Sequence, residues 1–525
     1  MRSWTLSGAR RMAFPALFTA LVVGFSLPIA LAEHPPMQDI PNHLAIVRTL
    51  AAEDSDPAWG SHFENRLEAD AYSTYYLVCT ALASRLGAEA ANRIVLTLYA
   101  ALLPTAFLAL VLSYDPGLRW NAIPAFLLVY SDLYLVGFTN YLLALPMLLA
   151  GAAVGVRIAR SDATSWLAVL ALAALCTGLY FTHPFALAML LVVLAILVLS
   201  RRLRRQRLIA LGAGLLPGVA LGLQRLVTTD LMPGPVLRLS PGLKIRYLLT
   251  TPLLALDAHR HWSFYSVGGL GLLLVGLVGY DLIRGRRTDG CSNTERWWHD
   301  RALAALVLFV IAYFAVPFNG ANAMWFDLRL AVATWFLFLL ALKPQFTRGI
   351  LRRGVLVATC IVSLLGVWSL HRGFEREIAP LFEVIGHMKP SSRVLPIVAN
   401  PSSQVSQPFY VRDAAIPYYS PYAHFGAYYN VEKGGESPFM TFHATLSWMP
   451  LGLRDPFYAR SFRIGEPFFP EVLLGRLPIT ASHFDYILVR GMHPDVVHWV
   501  NEFASLEARA GEFGAFAVRT ATPAN

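Results

Sequence analysis

Charge is what this 525-residue chain has least of: only 14% of its residues are Asp, Glu, Lys or Arg, against about 25% in soluble domains. That deficit excludes an ordinary soluble enzyme. Cysteine is scarce as well. There are four in the chain, and Cys79, Cys176, Cys291 and Cys360 stand at neither metal-ligand nor disulfide-framework spacing. They read as small buried hydrophobes without chemistry of their own. No internal repeat, coiled coil or low-complexity tract occurs, which removes solenoid and fibrous architectures.

What the chain has in abundance is apolar surface, with 56% hydrophobic residues and a mean hydropathy of +0.50. Apolar runs extend from Phe14 to Leu31, Ala90 to Leu112, Ile123 to Val136, Tyr141 to Val156, Trp166 to Phe181 and Pro184 to Leu199. Others run from Leu208 to Leu226, Val267 to Tyr280, Ala302 to Phe318, Leu328 to Leu342 and Val355 to Leu370. Together they predict about eleven membrane spans. The first run follows Arg2, Arg10 and Arg11 and ends in Ala30-Leu31-Ala32, the form of a signal-peptide cleavage site. It is also long enough to stay as an uncleaved first span, the preferred reading. Both readings put Glu33 outside the cytoplasm.

A net charge of +10 and a pI near 9.5 would suggest nucleic acid in a soluble protein. Sorting the charges by loop changes that reading. Alternate loops carry arginine and lysine clusters, and with the N-terminus they hold a net of roughly +14, leaving about −4 for the rest. The surplus is a topology signal for cytoplasmic loops, and no nucleic-acid partner is implied. An odd number of spans puts the C-terminus on the opposite, periplasmic side. The expected fold is therefore a polytopic α-helical membrane protein. A membrane domain covers residues 1–371, with a long first outer loop at 33–88. Residues 372–525, where charge, proline and aromatics mix, form a small C-terminal periplasmic α/β domain, with Pro494 to Glu507 as a helix.

Chemistry is sought on the outer face, because ionisable groups inside spans are costly. Pro35-Pro36-Met37-Gln38-Asp39-Ile40-Pro41-Asn42-His43 follows the first span, and its prolines stiffen the backbone around Asp39. Asp39 has two uses open to it. It can accept a proton from a hydroxyl or hold a cation, or it can cap the helix that begins near Pro41. Glu68 and Asp70 form an alternating acidic pair, either metal ligands or solvated surface groups. Tyr72 to Leu86 is amphipathic and too short to span, so it lies along the interface or re-enters. The outer loop from Val227 to Trp262 holds Arg238, Lys244, Arg246, His259, Arg260 and His261, against the positive-inside trend, which suggests an anionic partner or lipid headgroups. Asp132 and Asn140, His183-Pro184, and Asp327 with Arg329 complete the outer-face set.

These stretches resemble the GT-C superfamily of integral-membrane glycosyltransferases, in the bacterial type that uses polyprenyl-phosphate-linked sugars. The carrying segments are Met37 to His43, Gly137-Phe138-Thr139-Asn140-Tyr141-Leu142-Leu143-Ala144-Leu145-Pro146, and Tyr180-Phe181-Thr182-His183-Pro184, with Ala90-Ala91-Asn92-Arg93 and Arg329 in keeping. The resemblance implies a catalytic base at Asp39 and substrate contacts at His43, Asn140, His183, Lys244, Arg246, Arg260 and Arg329. The implied partners are a polyprenyl-phosphate sugar donor, membrane lipids, and a glycan, lipid or protein acceptor. A divalent cation, Mg or Mn, is an open cofactor, with Glu68 and Asp70 as its candidates, because Asp39 stands alone where the family often pairs two acids. The tail aromatics Tyr410, Tyr418, Tyr419, Tyr422, Phe425, Tyr428 and Tyr429 would stack on sugar rings or pack in a core. Two other classes stay open: a transporter or flippase for a lipid-linked or anionic solute, and a non-catalytic membrane protein of envelope assembly.

Overall fold

The computed structural model describes residues 2–53, 59–161, 165–198, 203–228, 238–253, 293–320, 323–324, 326–342, 349–406, 409–410, 417–440, 449–462 and 470–519. The apolar runs become helices: α1 (Arg2–Leu31), α4 (Ala88–Tyr114), α6 (Thr139–Arg160), α7 (Trp166–Thr182), α8 (Pro184–Val198), α9 (Arg205–Thr228), α11 (Asn293–Ala315), α12 (Phe326–Ala341) and α13 (Ile350–His387). Five of them, α1, α4, α6, α9 and α13, are long and apolar enough to cross a bilayer, and α7 and α8 are shorter apolar helices. The expected span at Val267 to Tyr280 and Cys291 lie outside the described residues. Cys79, Cys176 and Cys360 are buried and free, as their apolar settings suggest.

One expected span takes a different form. Where Ile123 to Val136 read as an α-helix, the chain runs as a 3-10 helix from Pro116 to Leu128 and then a short α5 (Asp132–Val136). Two prolines, Pro116 and Pro124, each lack an N–H to donate. The tighter winding also rises faster. Thirteen residues reach about 26 Å at about 2.0 Å each, against about 20 Å as an α-helix. The segment is walled in by α4, α12 and α13, so protein rather than lipid covers its backbone. It joins two ends of the bundle. Near its start Arg160 donates to the Tyr114 carbonyl and Arg353 lies 4.5 Å from the Trp120 ring centre; past its finish Gly137 meets Asp39.

The end of the bundle that carries Asp39 is covered by the first outer loop and the C-terminal domain. α2 (Ile40–Ala51) and α3 (Thr74–Leu86) come from the loop. On α3, Leu77, Val78 and Leu86 are exposed while Tyr75, Tyr76 and Cys79 are buried, the two faces expected of an interfacial helix. The C-terminal domain holds a four-stranded sheet in the order β2 (Val394–Val398), β4 (Tyr486–Arg490), β6 (Phe513–Val518), β5 (Ala504–Ala510). β2 and β4 are parallel, and the remaining pairs are antiparallel. Where a helix was expected over Pro494 to Glu507, it stops at Asn501 and β5 begins at Ala504.

The loop and the domain are stitched together, since β1 (Phe63–Asn65) pairs antiparallel with β3 (Leu451–Leu453). The boundary expected at residues 371 and 372 falls inside α13, which continues for 38 residues without a break. Beyond His371, its Phe374, Ile378, Leu381, Val384 and Ile385 stay buried at helical spacing, and it packs on β5 and β6. Arg490, buried in the domain, reaches Glu377 on that extension at 3.3 Å.

Candidate functional site

Asp39 is held from two sides. The backbone N–H groups of Gln38 and Asp39 donate to the carbonyls of Leu135 and Val136, at 2.8 and 3.0 Å. From the C-terminal domain, Tyr419 O–H donates to the Pro36 carbonyl at 2.6 Å and Ser420 N–H to Gln38 Oε1 at 3.0 Å. Gly137 closes α5 in the left-handed region, with φ +96°. A Cβ there would lie 3.0 Å from the Asp39 nitrogen and 3.1 Å from its Cβ. Glycine is thus required both for the conformation and for the approach.

The position of Asp39 is that of the N-cap of α2, yet its side chain makes no capping bond. Oδ1 instead accepts from Gln38 Nε2 at 3.3 Å and lies 3.4 Å from His424 Nε2, with both acidic and imidazole side chains 10% exposed. Both contacts fall on Oδ1. His424 was not singled out in the sequence. It belongs to a tail turn rich in aromatics, and nothing near it in the chain announces a partner in the first outer loop.

His43 and Asn140 were expected to touch substrate; in the structure both are engaged by protein groups. His43 is buried, its Nε2 3.1 Å from the Gly137 carbonyl and its Nδ1 2.8 Å from Tyr76 O–H. A carbonyl only accepts, so Nε2 carries the proton and Nδ1 accepts from the tyrosine. Burial pulls its pKa down to about 4 against the opposing effect of Asp39, so the ring is a neutral clip between α2, α3 and the turn after α5. Asn140 accepts from the Tyr75 N–H at 3.0 Å and donates to the Tyr72 carbonyl at 2.8 Å. It fixes the entry to α3, where Tyr72 has a left-handed φ of 67°.

Arg329 and His183 do come together. Arg329 sits over the rings of Phe138, Tyr141 and Phe326 at 5.0, 5.9 and 5.8 Å, and among the described residues no carboxylate pairs with it. His183 packs edge-on against Tyr141 at 5.0 Å and Tyr72 at 4.8 Å. Tyr141 O–H donates to the Arg329 carbonyl at 2.7 Å, so one tyrosine joins both. Consecutive residues bridge the two halves of the site: Gly137 abuts Asp39, and Phe138 lies under Arg329. Below this level lies an apolar cavity lined by Leu145, Leu148, Met189, Phe309, Ala333 and Phe336. Leu145 and Leu148 follow Tyr141, and Ala333 and Phe336 follow Arg329, each by one and two turns of helix.

The other expected cations are placed differently. Lys244, on α10 (Pro241–Thr250), is buried, donates to the carbonyls of Tyr313 and Val316 at the end of α11, and lies 3.5 Å from Asp327. Its ammonium group thus caps the end of that helix. Arg246 is exposed two residues further along α10, and Arg260 lies outside the described residues.

Asp70, one of the two metal candidates, is engaged by protein groups. Asp70 accepts from Tyr180 O–H at 2.8 Å and from Arg225 at 2.6 Å. Burial raises its pKa, but the Ala71 N–H, Tyr180 and Arg225 outweigh that and hold it below the usual carboxylate value. Glu68 is exposed, and among the described residues no three His, Cys, Asp or Glu side chains gather to hold a cation. Of the tail aromatics, Tyr419, Tyr422, Phe425, Tyr428 and Tyr429 are core residues; the side chains of Tyr410 and Tyr418 lie outside the description.

No family model matches the chain, and no curated protein sequence does. Among solved structures, the chain is similar to ArnT from Cupriavidus metallidurans, a crystal structure bound to undecaprenyl phosphate, at 14% identity and a TM-score of 0.42 over 96% of this chain and 98% of that one.

Proposed function

We propose that the chain is a GT-C-type glycosyltransferase of the bacterial inner membrane, with its N-terminus cytoplasmic and its C-terminal domain periplasmic. It transfers a sugar from a polyprenyl-phosphate-linked donor to a glycan, lipid or protein acceptor at the periplasmic face. The observation that carries this reading is the sequence of layers: a carboxylate at Asp39, an arginine without a carboxylate partner among the described residues one bridge away, and an apolar cavity beneath it. An amphipathic phosphate ester matches that order, its phosphate at Arg329 and its chain directed toward the apolar helix faces around the small cavity.

In the reaction, the acceptor oxygen bonds to the anomeric carbon from the face opposite the phosphate. The bond from that carbon to the phosphate oxygen breaks, with inversion. Asp39 takes the acceptor's hydroxyl proton on Oδ2, and the leaving phosphate keeps the bonding electron pair beside Arg329.

The test is transfer by purified protein in liposomes, with a panel of sugar-labelled polyprenyl phosphates as donors and periplasmic glycans, lipids and proteins as acceptors. A covalent product is expected from the native chain, and a loss of about 100-fold or more from Asp39→Asn with folding intact. Solute movement without covalent product, or full transfer by Asp39→Asn, overturns the proposal.

A further inference from the structure

Asp39 is fixed at its backbone by the membrane bundle, but its carboxylate is aimed by two side chains. One is Gln38, its own neighbour. The other is His424, from the opposite end of the sequence, at 3.4 Å. The imidazole sits on a compact turn in which Phe425 N–H donates to the Tyr422 carbonyl and Ala427 N–H to the His424 carbonyl, just before α14 (Ala427–Lys433). α14 packs directly on α2, the helix that begins beside Asp39.

Beside this contact lies a second cavity with room for about one water molecule, where the polar side chains of Asn42, His424 and Ser437 meet apolar ones such as Val398 and Phe439. Asn42 is 0% exposed, and among the described residues neither its amide nitrogen nor its amide oxygen has a hydrogen-bond partner. Ser437 Oγ is buried and, among the described residues, unbonded too. Buried amides and hydroxyls go without partners only at a cost of about 1–3 kcal/mol each, and a hole of water size is where a water repairs that. Apolar residues would have filled the space for less.

We propose that His424 is a positioning residue for Asp39, supplied by the C-terminal domain, and that a water held by Asn42 and Ser437 in the adjoining cavity keeps its ring in place. The proposal deepens the reading of Asp39 as base and rests on it. His424 does not touch the donor; it acts by holding Oδ1, so that Oδ2 faces the acceptor hydroxyl. A contact of 3.4 Å in the free protein tightens when the acceptor is bound.

Four variants test it in the liposome assay with labelled polyprenyl-phosphate sugar. His424→Ala is expected to lower kcat about 10- to 100-fold and leave the donor KM within about twofold, as misaimed chemistry does. His424→Gln, whose amide donates at a similar reach, recovers most of the loss. Asn42→Leu expels the water and fills the hole, so kcat falls while thermal stability holds or rises. Asp39→Asn identifies the carboxylate stretch of Asp39 in infrared difference spectra. That band shifts in His424→Ala and stays in place in His424→Gln. If Asp39→Asn abolishes transfer but His424→Ala keeps full kcat and an unshifted band, the positioning role is overturned and the base is not. If transfer survives Asp39→Asn, the reading of Asp39 falls and this inference with it. An Asn42→Leu variant with unchanged kcat removes the water.

Discussion

Gly137→Ala offers a sharp test of how the bundle sets Asp39. The substitution adds one methyl group and no charge, at a residue that does not touch substrate in the proposed reaction. Its cost has two parts. A non-glycine residue at φ +96° costs about 1–2 kcal/mol in backbone conformation. The new Cβ would also stand 3.0–3.3 Å from Asp39 N, Cβ and Cα, so the helix start carrying Asp39 must give by a few tenths of an ångström. Crowding of that size in a packed interior adds about 1 kcal/mol, for a total near 2–3 kcal/mol. The displacement bears on catalysis as well. A misplacement of about 1 Å costs about 100-fold, so a few tenths of an ångström predict a loss of about three- to tenfold in transfer.

Thermal unfolding of the detergent-solubilised protein reads the first effect and the liposome assay the second. Gly354→Ala is the control, since Gly354 lies in α13 with nothing within 4 Å of its would-be Cβ. That variant should match or exceed the native stability, as alanine favours the helix. If Gly137→Ala unfolds and transfers like the native chain, then neither the left-handed turn nor its contact with Asp39 governs the site.

Two further outcomes follow from the electrostatics. His34 and His43 both titrate near pH 4 in the folded chain, chiefly because they are buried, against about 6.5 when unfolded. The unfolded chain therefore binds more protons between those values. Stability is complete above about pH 6.5 and falls as the pH drops toward 4, by at most about 3 kcal/mol per histidine. His34→Phe, which preserves the stack on Phe382 at 4.1 Å, should flatten that slope in pH-dependent unfolding; an unchanged slope contradicts it. Arg329→Lys retains the charge but loses the planar guanidinium among Phe138, Tyr141 and Phe326. The donor KM should rise about five- to tenfold, and an unaltered KM would remove Arg329 from the phosphate site.

The parts of this site that sequence reveals are those encoded by neighbours in the chain. Asp39 stands out because prolines at 35, 36 and 41 and the end of the first apolar run surround it, and Arg329 because it follows a polar turn at the start of another run. The parts it conceals depend on partners far away. A charge count assigns Lys244 to a side of the membrane but cannot reveal that three carbonyls and Asp327 surround its ammonium group. His43 has the composition of a ligand, yet Tyr76 and Gly137 consume both its nitrogens. His424 meets Asp39 only because a domain folds back over the first loop. Periodicity likewise hides the 3-10 stretch, since an apolar run has the same composition at either pitch. It also places a boundary at His371, where charge appears, although the buried positions Phe374, Ile378 and Leu381 continue the helical spacing.

The unbroken α13 has a mechanical consequence. Past His371, which meets Tyr134 on the bundle at 2.7 Å, about 16 more residues rise about 24 Å into the sheet domain. A rod of that length converts angle into distance: a tilt of about 5° moves its tip by about 2 Å. That exceeds the slack in a 3.4 Å approach between His424 and Asp39. The Arg490–Glu377 pair restrains this lever from the side, and the β1–β3 ladder ties the domain to the first outer loop. Tilting of that shaft is thereby carried to the contact between His424 and Asp39, which joins the two bodies.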